Sequence, residues 1–207
     1  MELYFRPGSP QARVARVFWR EKNLRVVRES PLAPSGAAPT ALAHELPACT
    51  PLLVDDDLLL VDARLVCEYF DAASGLRPLI PPSGDARWCA WQAHALASVL
   101  MQTIEALERE RVWAPEPSRA ARQALHIRMS RTLAAMEQHL RTLLRIPQPL
   151  TIGHIAFAVA LAEVDLRHPQ LGWPRSHAEL AGWYRAFSGR PSMQATTADD
   201  AKLITPR

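Results

Sequence analysis

The pattern of hydrophobic and polar positions divides the chain into two dissimilar regions. Up to about residue 77, short apolar runs alternate with turn residues and with apolar positions at helical spacing. Short apolar runs predict strands, whereas apolar residues at intervals of three and four predict helices. Beyond a proline-rich stretch, every long apolar pattern has helical spacing. We therefore predict an α+β domain over residues 1–77, a linker over 78–84 and an all-helical domain over 85–207.

The first region predicts the element order β-α-β, then an irregular segment, then β-β-α. Strands are expected over residues 3–5 and 24–27, on either side of a helix that begins near Pro10, where a missing N–H costs nothing. Residues 31–51 are rich in Pro, Ala and Ser and predict a loop with at most one short helix. Two apolar runs around three consecutive aspartates predict a hairpin, after which Asp62 caps another helix.

The second region predicts four helices. The first places Trp88 and Trp91 on its apolar face, and we expect these aromatic side chains in the core or at a dimer contact. The second helix follows Pro117, the third begins at an N-cap formed by Thr151, and the fourth covers about residues 177–187. The tail that follows has no clear periodicity and is predicted to be weakly structured.

Composition and charge narrow the functional classes. Hydrophobic residues make up 48% of the chain and charged residues 22%, which is typical of a folded globular protein. The formal net charge is only +3, and acidic residues are interleaved with the arginines, so we expect no basic stripe of the kind that binds nucleic acid. No apolar stretch approaches the roughly 18 residues of a membrane span, and no signal-peptide pattern is present. We expect a cytoplasmic protein that binds neither nucleic acid nor membrane.

Four short motifs resemble the glutathione transferase family. A Ser-Pro-Gln-Ala-Arg sequence beginning at Ser9 is similar to the active-site turn of bacterial members, and a Thr-Pro-Leu-Leu-Val sequence beginning at Thr50 resembles a segment whose proline is cis. Asp62 and Ala63 stand where the family usually has Glu-Ser or Asp-Ser, and the residues from Leu150 onward resemble the C-terminal pattern of one bacterial subgroup. The resemblance covers nearly the whole chain. It implies a thioredoxin-like N-terminal domain followed by an all-α helical bundle.

The resemblance implies that Ser9 is the catalytic residue of a glutathione site. Its hydroxyl would hydrogen-bond the glutathione sulfur and favour the thiolate, at a helix start where backbone N–H groups attract an anion. The alternative is that Ser9 only caps the helix. Thr50, placed before a cis Pro51, would pair through its backbone with the cysteinyl unit of glutathione, as an added strand does. The alternative there is a trans proline that opens a strand.

Three further residues would complete the glutathione site. Asp62 and Ala63 stand at a helix start that would hold the γ-glutamyl group, although Ala63 lacks the hydroxyl that the family supplies; alternatively, Asp62 is a plain N-cap. Cys49 falls where many relatives carry a lysine, and it either forms a mixed disulfide with glutathione or is a small, partly buried side chain. With Cys67 and Cys89 it forms no Cys-x-x-Cys pair, so no metal is expected.

The resemblance leaves open what the protein does with glutathione. As an enzyme it would be a transferase that conjugates glutathione, its co-substrate, to a small electrophile in detoxification, or exchanges it with a disulfide. The alternative is a GST-like protein with weak or no catalysis that acts as a binding or regulatory module. Gln11, Met101 and Gln102 are candidates for the pocket of the second substrate. The family usually dimerises, and we expect a homodimer through helices that carry Tyr69 and Trp88.

Overall fold

The described residues form two compact units. The structure, a computed structural model, describes residues 1–32, 51–112, 118–145 and 150–197. The first unit combines the described residues up to Ile80 with residues 190–197, and the second is drawn from Pro81–Gly189. The first is an α+β unit, and the second is helical wherever it is described, which confirms the predicted fold class.

The first unit is built on a four-stranded mixed sheet. Its strands and first helices are β1 (Glu2–Phe5), α1 (Pro10–Glu21), β2 (Arg28–Pro31), β3 (Leu52–Asp55), β4 (Leu58–Val61) and α2 (Ala63–Ala73). The strand order is β2-β1-β3-β4. Strands β1 and β2 are parallel, and the other neighbouring pairs are antiparallel. The hairpin predicted around the aspartates is the β3–β4 pair.

Apolar side chains along β1 contribute to cores on both faces of the sheet. Leu3 lies opposite Leu53 in the β1–β3 ladder, and both side chains are fully buried. Tyr4, the next residue, points to the other face because side chains alternate along a strand, and there it packs with Leu52 and Leu32. Helices α1 and α2 pack against one another. The positions of both helix starts are therefore fixed by packing within this unit.

The second strand begins four residues later than predicted. Residues 24–27 form a turn and its flanks, and β2 begins at Arg28. Asn23 adopts a left-handed φ of 51°, which turns the chain away from α1 before a strand can begin. Val26 is 63% exposed, so the apolar run that predicted a strand here does not reach the core.

The second unit consists of packed helices. Its elements are α3 (Gly84–Val112), α4 (Arg119–Arg145), α5 (Ile152–Arg167), a short 3₁₀ turn (Pro169–Leu171), α6 (Trp173–Ser176) and α7 (Ala178–Ser188). The four predicted helices correspond to α3, α4, α5 and α7. Helix α5 is buried along most of its length and packs against α3, which also packs against α4. Gly153 permits this approach, because a Cβ atom there would lie 2.7 Å from Ala93 Cβ and 2.8 Å from the Ala90 carbonyl oxygen.

Of the two locations predicted for Trp88, the core is wrong, and a dimer contact stays a prediction. Trp88 is 70% exposed, whereas Ala90, Ala93 and Ala97 are buried. Because α5 approaches α3 closely at Ala90 and Ala93, small side chains occupy the contact and the large aromatic ring lies outside it.

The C-terminal segment forms a helix against the first unit, although the sequence predicts a weakly structured tail. Helix α8 (Pro191–Gln194) packs against α1. The Glu21 carboxylate accepts two hydrogen bonds from the Arg190 guanidinium, at 2.8 and 2.7 Å, and a third from the Ser192 hydroxyl. These contacts group residues 190–197 with the α+β unit, whereas the predicted boundary assigned them to the helical domain.

Candidate functional site

Three segments that carry predicted site residues meet at one edge of the sheet. In the antiparallel β1–β3 pair, Tyr4 lies opposite Leu52, so the end of β1 is next to the start of β3. Leu52 also pairs with Val61, so the end of β4 reaches the same edge. The end of β1, the start of β3 and the end of β4 therefore lie side by side at this edge, within about 10 Å, which is two strand spacings. These segments carry Ser9, Pro51 and Asp62.

Ser9 is the N-cap of α1. Its backbone is extended, with φ −79° and ψ 113°, and its hydroxyl oxygen accepts a hydrogen bond from the Ala12 N–H at 3.2 Å. Pro10 opens the first turn, which contains no acidic residue, so no carboxylate in that turn neutralises the positive end of the helix macrodipole. Ser9 itself is half-buried. A hydroxyl, backbone N–H groups and a positive macrodipole together suit a negatively charged ligand atom.

Asp62 caps α2 in a strained backbone conformation. Its φ of 78° and ψ of 133° lie outside the regions that side-chain-bearing residues favour. Strain of this kind costs about 1–3 kcal/mol and is concentrated at binding and catalytic sites. The Asp62 carboxylate accepts a hydrogen bond from the Arg64 N–H at 2.8 Å. Asp62 is exposed and Ala63 is 2% exposed, so it is the carboxylate that faces solvent at this helix start.

Pro51 is buried immediately before β3, at the same edge of the sheet. Thr50 and Cys49, which precede it, lie outside the described residues, as does most of the loop predicted over residues 31–51. The cis geometry of the peptide before Pro51, the backbone contact expected of Thr50 and the mixed disulfide suggested for Cys49 therefore stay predictions.

Comparisons with known proteins identify the family to which this fold belongs. The family model described as the glutathione S-transferase N-terminal domain matches residues 3–78. A crystal structure of a glutathione transferase family member from Pseudomonas fluorescens, with bound glutathione, is 32% identical to this chain. The match covers 94% of this chain and 97% of that one, with a TM-score of 0.82. This chain belongs to the glutathione transferase family.

Further solved transferases are similar over the same extent. A Pseudomonas fluorescens family member with bound S-(propanoic acid)-glutathione is 31% identical, covering 95% of this chain and 98% of that one, with a TM-score of 0.82. A glutathione S-transferase from Methylobacillus flagellatus with GSH bound is 25% identical, covering 95% of this chain and 98% of that one, with a TM-score of 0.85. No curated protein matches the chain significantly.

The three residues predicted to line a pocket for a second substrate have different surroundings. Gln11 is half-buried in the first turn of α1, close to Ser9 in the chain. Gln102 is exposed on α3. Met101 is completely buried in the helical unit, so its side chain cannot contact a substrate without repacking of the core. We therefore correct the assignment of Met101 to that of a core residue.

Three other side chains with a thiol or phenol group are poorly suited to stabilise a thiolate or to act as a nucleophile. Burial raises the pKa of the Cys67 thiol well above its usual range, and burial also raises the pKa of Cys89. Tyr4 is 7% exposed, and burial together with a hydrogen bond to Glu2 raises the pKa of its phenol. These three side chains are buried and belong to the core.

The described ranges contain neither a metal centre nor a membrane-spanning helix. No group of three or more His, Cys, Asp or Glu side chains among these residues is arranged to hold a metal ion. In the same part of the chain, none of the helices combines the length and the apolar character required to cross a membrane.

Sequence analysis did not predict that the C-terminal segment reaches the start of α1. The Arg13 guanidinium donates to Thr196 Oγ1 at 3.3 Å and to the Met193 carbonyl oxygen at 3.5 Å. One signal for this contact is present in the sequence. Arg13 follows Ser9 by one helical turn, where the macrodipole disfavours a cation, so a hydrogen-bond partner outside α1 would offset that cost.

Proposed function

We propose that this protein binds glutathione at the sheet edge that carries Ser9, Pro51 and Asp62, and that it transfers the tripeptide to a small electrophile or a disulfide as a cytoplasmic detoxification step. The observation that carries the proposal is the start of α1, where a half-buried Ser9 hydroxyl caps the helix at this edge. The start of α2 lies at the same edge. Glutathione carries two carboxylates and a thiol, and helix N-termini favour such anionic groups.

Known relatives support the choice of ligand. The Pseudomonas fluorescens family members that are 31% and 32% identical to this chain contain a glutathione conjugate and glutathione, respectively. Their similarity extends over at least 94% of this chain. The model of the glutathione S-transferase N-terminal domain covers residues 3–78, which include the sheet edge and the starts of both helices.

Capping α1 and binding the sulfur are compatible roles for Ser9. A serine hydroxyl has two acceptor lone pairs and one donor hydrogen. The bond from the Ala12 N–H uses an acceptor position, so the cap orients the hydroxyl without using its hydrogen as a donor. A free thiol has a pKa near ~8.5, and lowering it by about two units requires about 2.7 kcal/mol. One charge-assisted hydrogen bond and a helix N-terminus are sufficient for much of that difference.

In the proposed reaction the thiol proton passes to solvent, and the thiolate sulfur supplies the electron pair of the new bond. With a carbon electrophile, a sulfur–carbon bond forms and the leaving group departs with its electrons. With a disulfide, the attacked sulfur–sulfur bond breaks and one sulfur leaves as a thiolate. Ser9 keeps its proton throughout, because it only donates a hydrogen bond to the sulfur.

Ala63 favours a second candidate function. The family usually supplies a hydroxyl at this position for the γ-glutamyl carboxylate, and one hydrogen bond to a charged group contributes about 1.5–3 kcal/mol. Its absence would weaken glutathione binding about tenfold or more. A protein with such weakened affinity would serve as a binding or regulatory module rather than as an efficient transferase.

Retention on immobilised glutathione, followed by release with free glutathione and an assay with an activated aryl halide, distinguishes the two functions. We expect Ala63→Ser to tighten glutathione binding about tenfold by calorimetry, because the added hydroxyl reaches the γ-glutamyl carboxylate. The matched control is Ala72→Ser, at an exposed position of the same helix, which should change nothing. Retention without turnover would favour the binding module, and failure of both wild type and Ala63→Ser to bind would contradict a glutathione site.

We also propose that the protein is a homodimer. On the first unit, α2 exposes Leu65, and the turn between β3 and β4 exposes Asp56 and Asp57. On the second unit, a cavity of about 500 Å³ is lined mainly by α4, with apolar side chains and two arginines: Leu96, Ala124, Ile127, Arg128, Arg131, Thr132 and Ala135. The acidic and apolar surface of one protomer complements the basic and apolar cavity of its partner.

Light scattering tests the dimer. At micromolar concentration we expect about twice the 23.1 kDa mass of one chain. Ile127→Asp should shift the mass toward the monomer, because it removes apolar contact and places a negative charge opposite the acidic surface of the partner. Leu144→Asp, at an exposed leucine elsewhere on α4, serves as the control and should remain dimeric. A wild-type mass near that of one chain would contradict the dimer.

A further inference from the structure

We infer that Arg13 is a positioning residue for Ser9, and that residues 190–197 hold the start of α1 in place through it. The inference rests on the proposed function, since the position of Ser9 matters for the reaction only if its hydroxyl binds the glutathione sulfur. What is new is the role of Arg13, a side chain outside the proposed glutathione contacts. Its hydrogen-bond partner, Thr196, lies 183 residues away in the sequence.

The C-terminal segment contacts α1 toward both of its ends. In the last turn of α1, the Glu21 carboxylate binds Arg190 through two hydrogen bonds, at 2.8 and 2.7 Å. In the first turn, the Arg13 guanidinium donates to Thr196 Oγ1 and to the Met193 carbonyl oxygen. The segment therefore spans the helix, and a movement of α1 along its axis would disturb hydrogen bonds at both places.

Arg13 occupies a position that α1 alone would not favour for a cation. Its backbone N–H donates to the Ser9 carbonyl oxygen at 3.0 Å, in the first turn of the helix, so its charge lies toward the positive end of the macrodipole. Its partner, the Met193 carbonyl oxygen, belongs to the single turn of α8. The guanidinium therefore connects the start of α1 to α8.

Arg13 is itself half-buried, and the two residues that accept its hydrogen bonds are shielded from water. Thr196 is 2% exposed and Met193 is 1% exposed. The Thr196 hydroxyl accepts a hydrogen bond from Arg13. Its own hydrogen is shared between the Ser192 carbonyl oxygen, at 3.1 Å, and the Met193 carbonyl oxygen, at 3.2 Å. Buried hydrogen bonds of this kind favour one arrangement of their members. The same helical turn contains the bond between the Ala12 N–H and Ser9 Oγ, so a fixed Arg13 restrains the direction of the Ser9 hydroxyl.

Two variants remove this contact from opposite sides. Arg13→Lys keeps the positive charge but loses the two-pronged donation, and Thr196→Val removes the acceptor. Each should raise the pKa of the bound thiol by about half a unit and lower kcat about threefold, with KM for glutathione nearly unchanged. The double variant should lose less than the sum of the two single ones, because both single variants remove the hydrogen bond between Arg13 and Thr196. Arg25→Lys, at an exposed arginine of the same unit, is the matched control and should behave as wild type.

Hydrogen exchange at the Ala12 amide gives a readout that needs no glutathione. Faster exchange in Arg13→Lys and Thr196→Val, together with the shifted thiol titration, supports the inference. Thiol titrations that coincide with wild type beside a lowered Tm, or strictly additive effects of the two variants, would overturn it and make Arg13 a purely structural residue. A wild-type thiol whose pKa is not lowered contradicts the proposed function instead. If the wild-type thiol pKa is not lowered, Ala12 exchange that is unchanged in the two variants overturns the inference as well. Faster exchange in the variants would then still support a structural role of Arg13 at the start of α1.

Discussion

Helices α1 and α5 both begin at a hydroxyl-bearing N-cap residue, but the surroundings of the two caps differ. Ser9 is half-buried at the edge of the sheet, and its hydroxyl accepts from the Ala12 N–H. Thr151 is 3% exposed. Its backbone N–H lies 3.1 Å from His154 Nδ1 and its hydroxyl oxygen lies 2.9 Å from the same atom, so both groups donate to the imidazole. That arrangement places the ring proton of neutral His154 on Nε2.

The comparison shows that the chemistry of a cap does not by itself determine its role. At α5 the polar groups of the cap pair with one another inside the protein, and the first turn fits closely against α3. At α1 the cap lies where three segments of the sheet unit meet, with a macrodipole that favours an anion. We therefore expect substitutions at the start of α5 to change stability, and substitutions at Ser9 to change the chemistry of a bound thiol.

The largest effect is expected where the start of α5 meets α3. Gly153→Ala should lower the free energy of unfolding by about 1–3 kcal/mol, because the new methyl group would meet the Ala90 backbone and the Ala93 methyl group, neither of which can rotate away. Gly182→Ala is the matched control: nothing lies within 4 Å of a Cβ there, and the substitution should stabilise α7 by up to about 1 kcal/mol. Denaturant melts measure both, and equal effects would contradict this description of the α3–α5 contact.

A smaller loss is expected at the α5 cap itself. Thr151→Val removes the hydroxyl while keeping the shape of the side chain, and should cost about 1–2 kcal/mol of stability. The pKa of a bound thiol should not change, because this cap lies in the other unit and is buried. Thr142→Val, at an exposed threonine of α4, is the control. A shifted thiol titration in Thr151→Val would show that the two caps are not separate in function.

The end of α5 predicts a pH dependence for the helical unit. His168 is 6% exposed, and burial lowers its pKa, with His126 and Arg167 acting in the same direction and Glu108 opposing them. The unfolded chain, with a histidine pKa near ~6.5, therefore binds protons more readily than the folded one. Stability should fall as the pH drops from about 6.5 toward the lowered folded pKa.

His168→Gln should reduce this loss of stability in acid, since glutamine does not titrate. Thermal melts of both proteins between about pH 7 and pH 5 measure the difference. Parallel pH profiles for the two proteins would contradict the assignment. Because α1 carries no histidine, we expect acid to affect the helical unit before the start of α1.

Much of the α+β unit is predictable because its signals are local. Pro10 followed by helical spacing indicates α1, the three aspartates indicate the β3–β4 turn, and Asp62 indicates the start of α2. The position of β2 is not predictable in this way. It is an edge strand whose register depends on pairing with β1, and the more apolar residues 24–27 are used in a turn instead.

The site is predictable to a lesser extent. The sequence indicates that Ser9 and Asp62 cap helices, and both residues are N-caps in the structure. The positive φ of Asp62 is not predictable from the sequence, because the residue there is aspartate and not glycine. The contact between Arg13 and Thr196 depends on the whole fold, since it joins residues 183 positions apart. Met101 is predicted to line a pocket but lies in the core, because the sequence pattern of a large apolar residue on a helix fits both locations equally well.

The smallest change in structure should have the clearest chemical effect. Ser9→Ala removes a hydrogen bond that a thiolate receives more strongly than a thiol, so turnover at neutral pH should fall while glutathione binding changes less. The cost in stability should be only the ~1 kcal/mol of a lost N-cap.

The measurement that tests the central claim most directly is a pH titration of bound-thiolate absorbance in wild type and Ser9→Ala, with thermal melts of both. We predict that the pKa of the bound thiol lies below that of free glutathione in wild type and rises by about one unit or more in Ser9→Ala, toward the ~8.5 of a free thiol. Coincident titration curves with a lowered melting temperature would contradict the account. They would restrict Ser9 to capping α1 and favour the binding-module function.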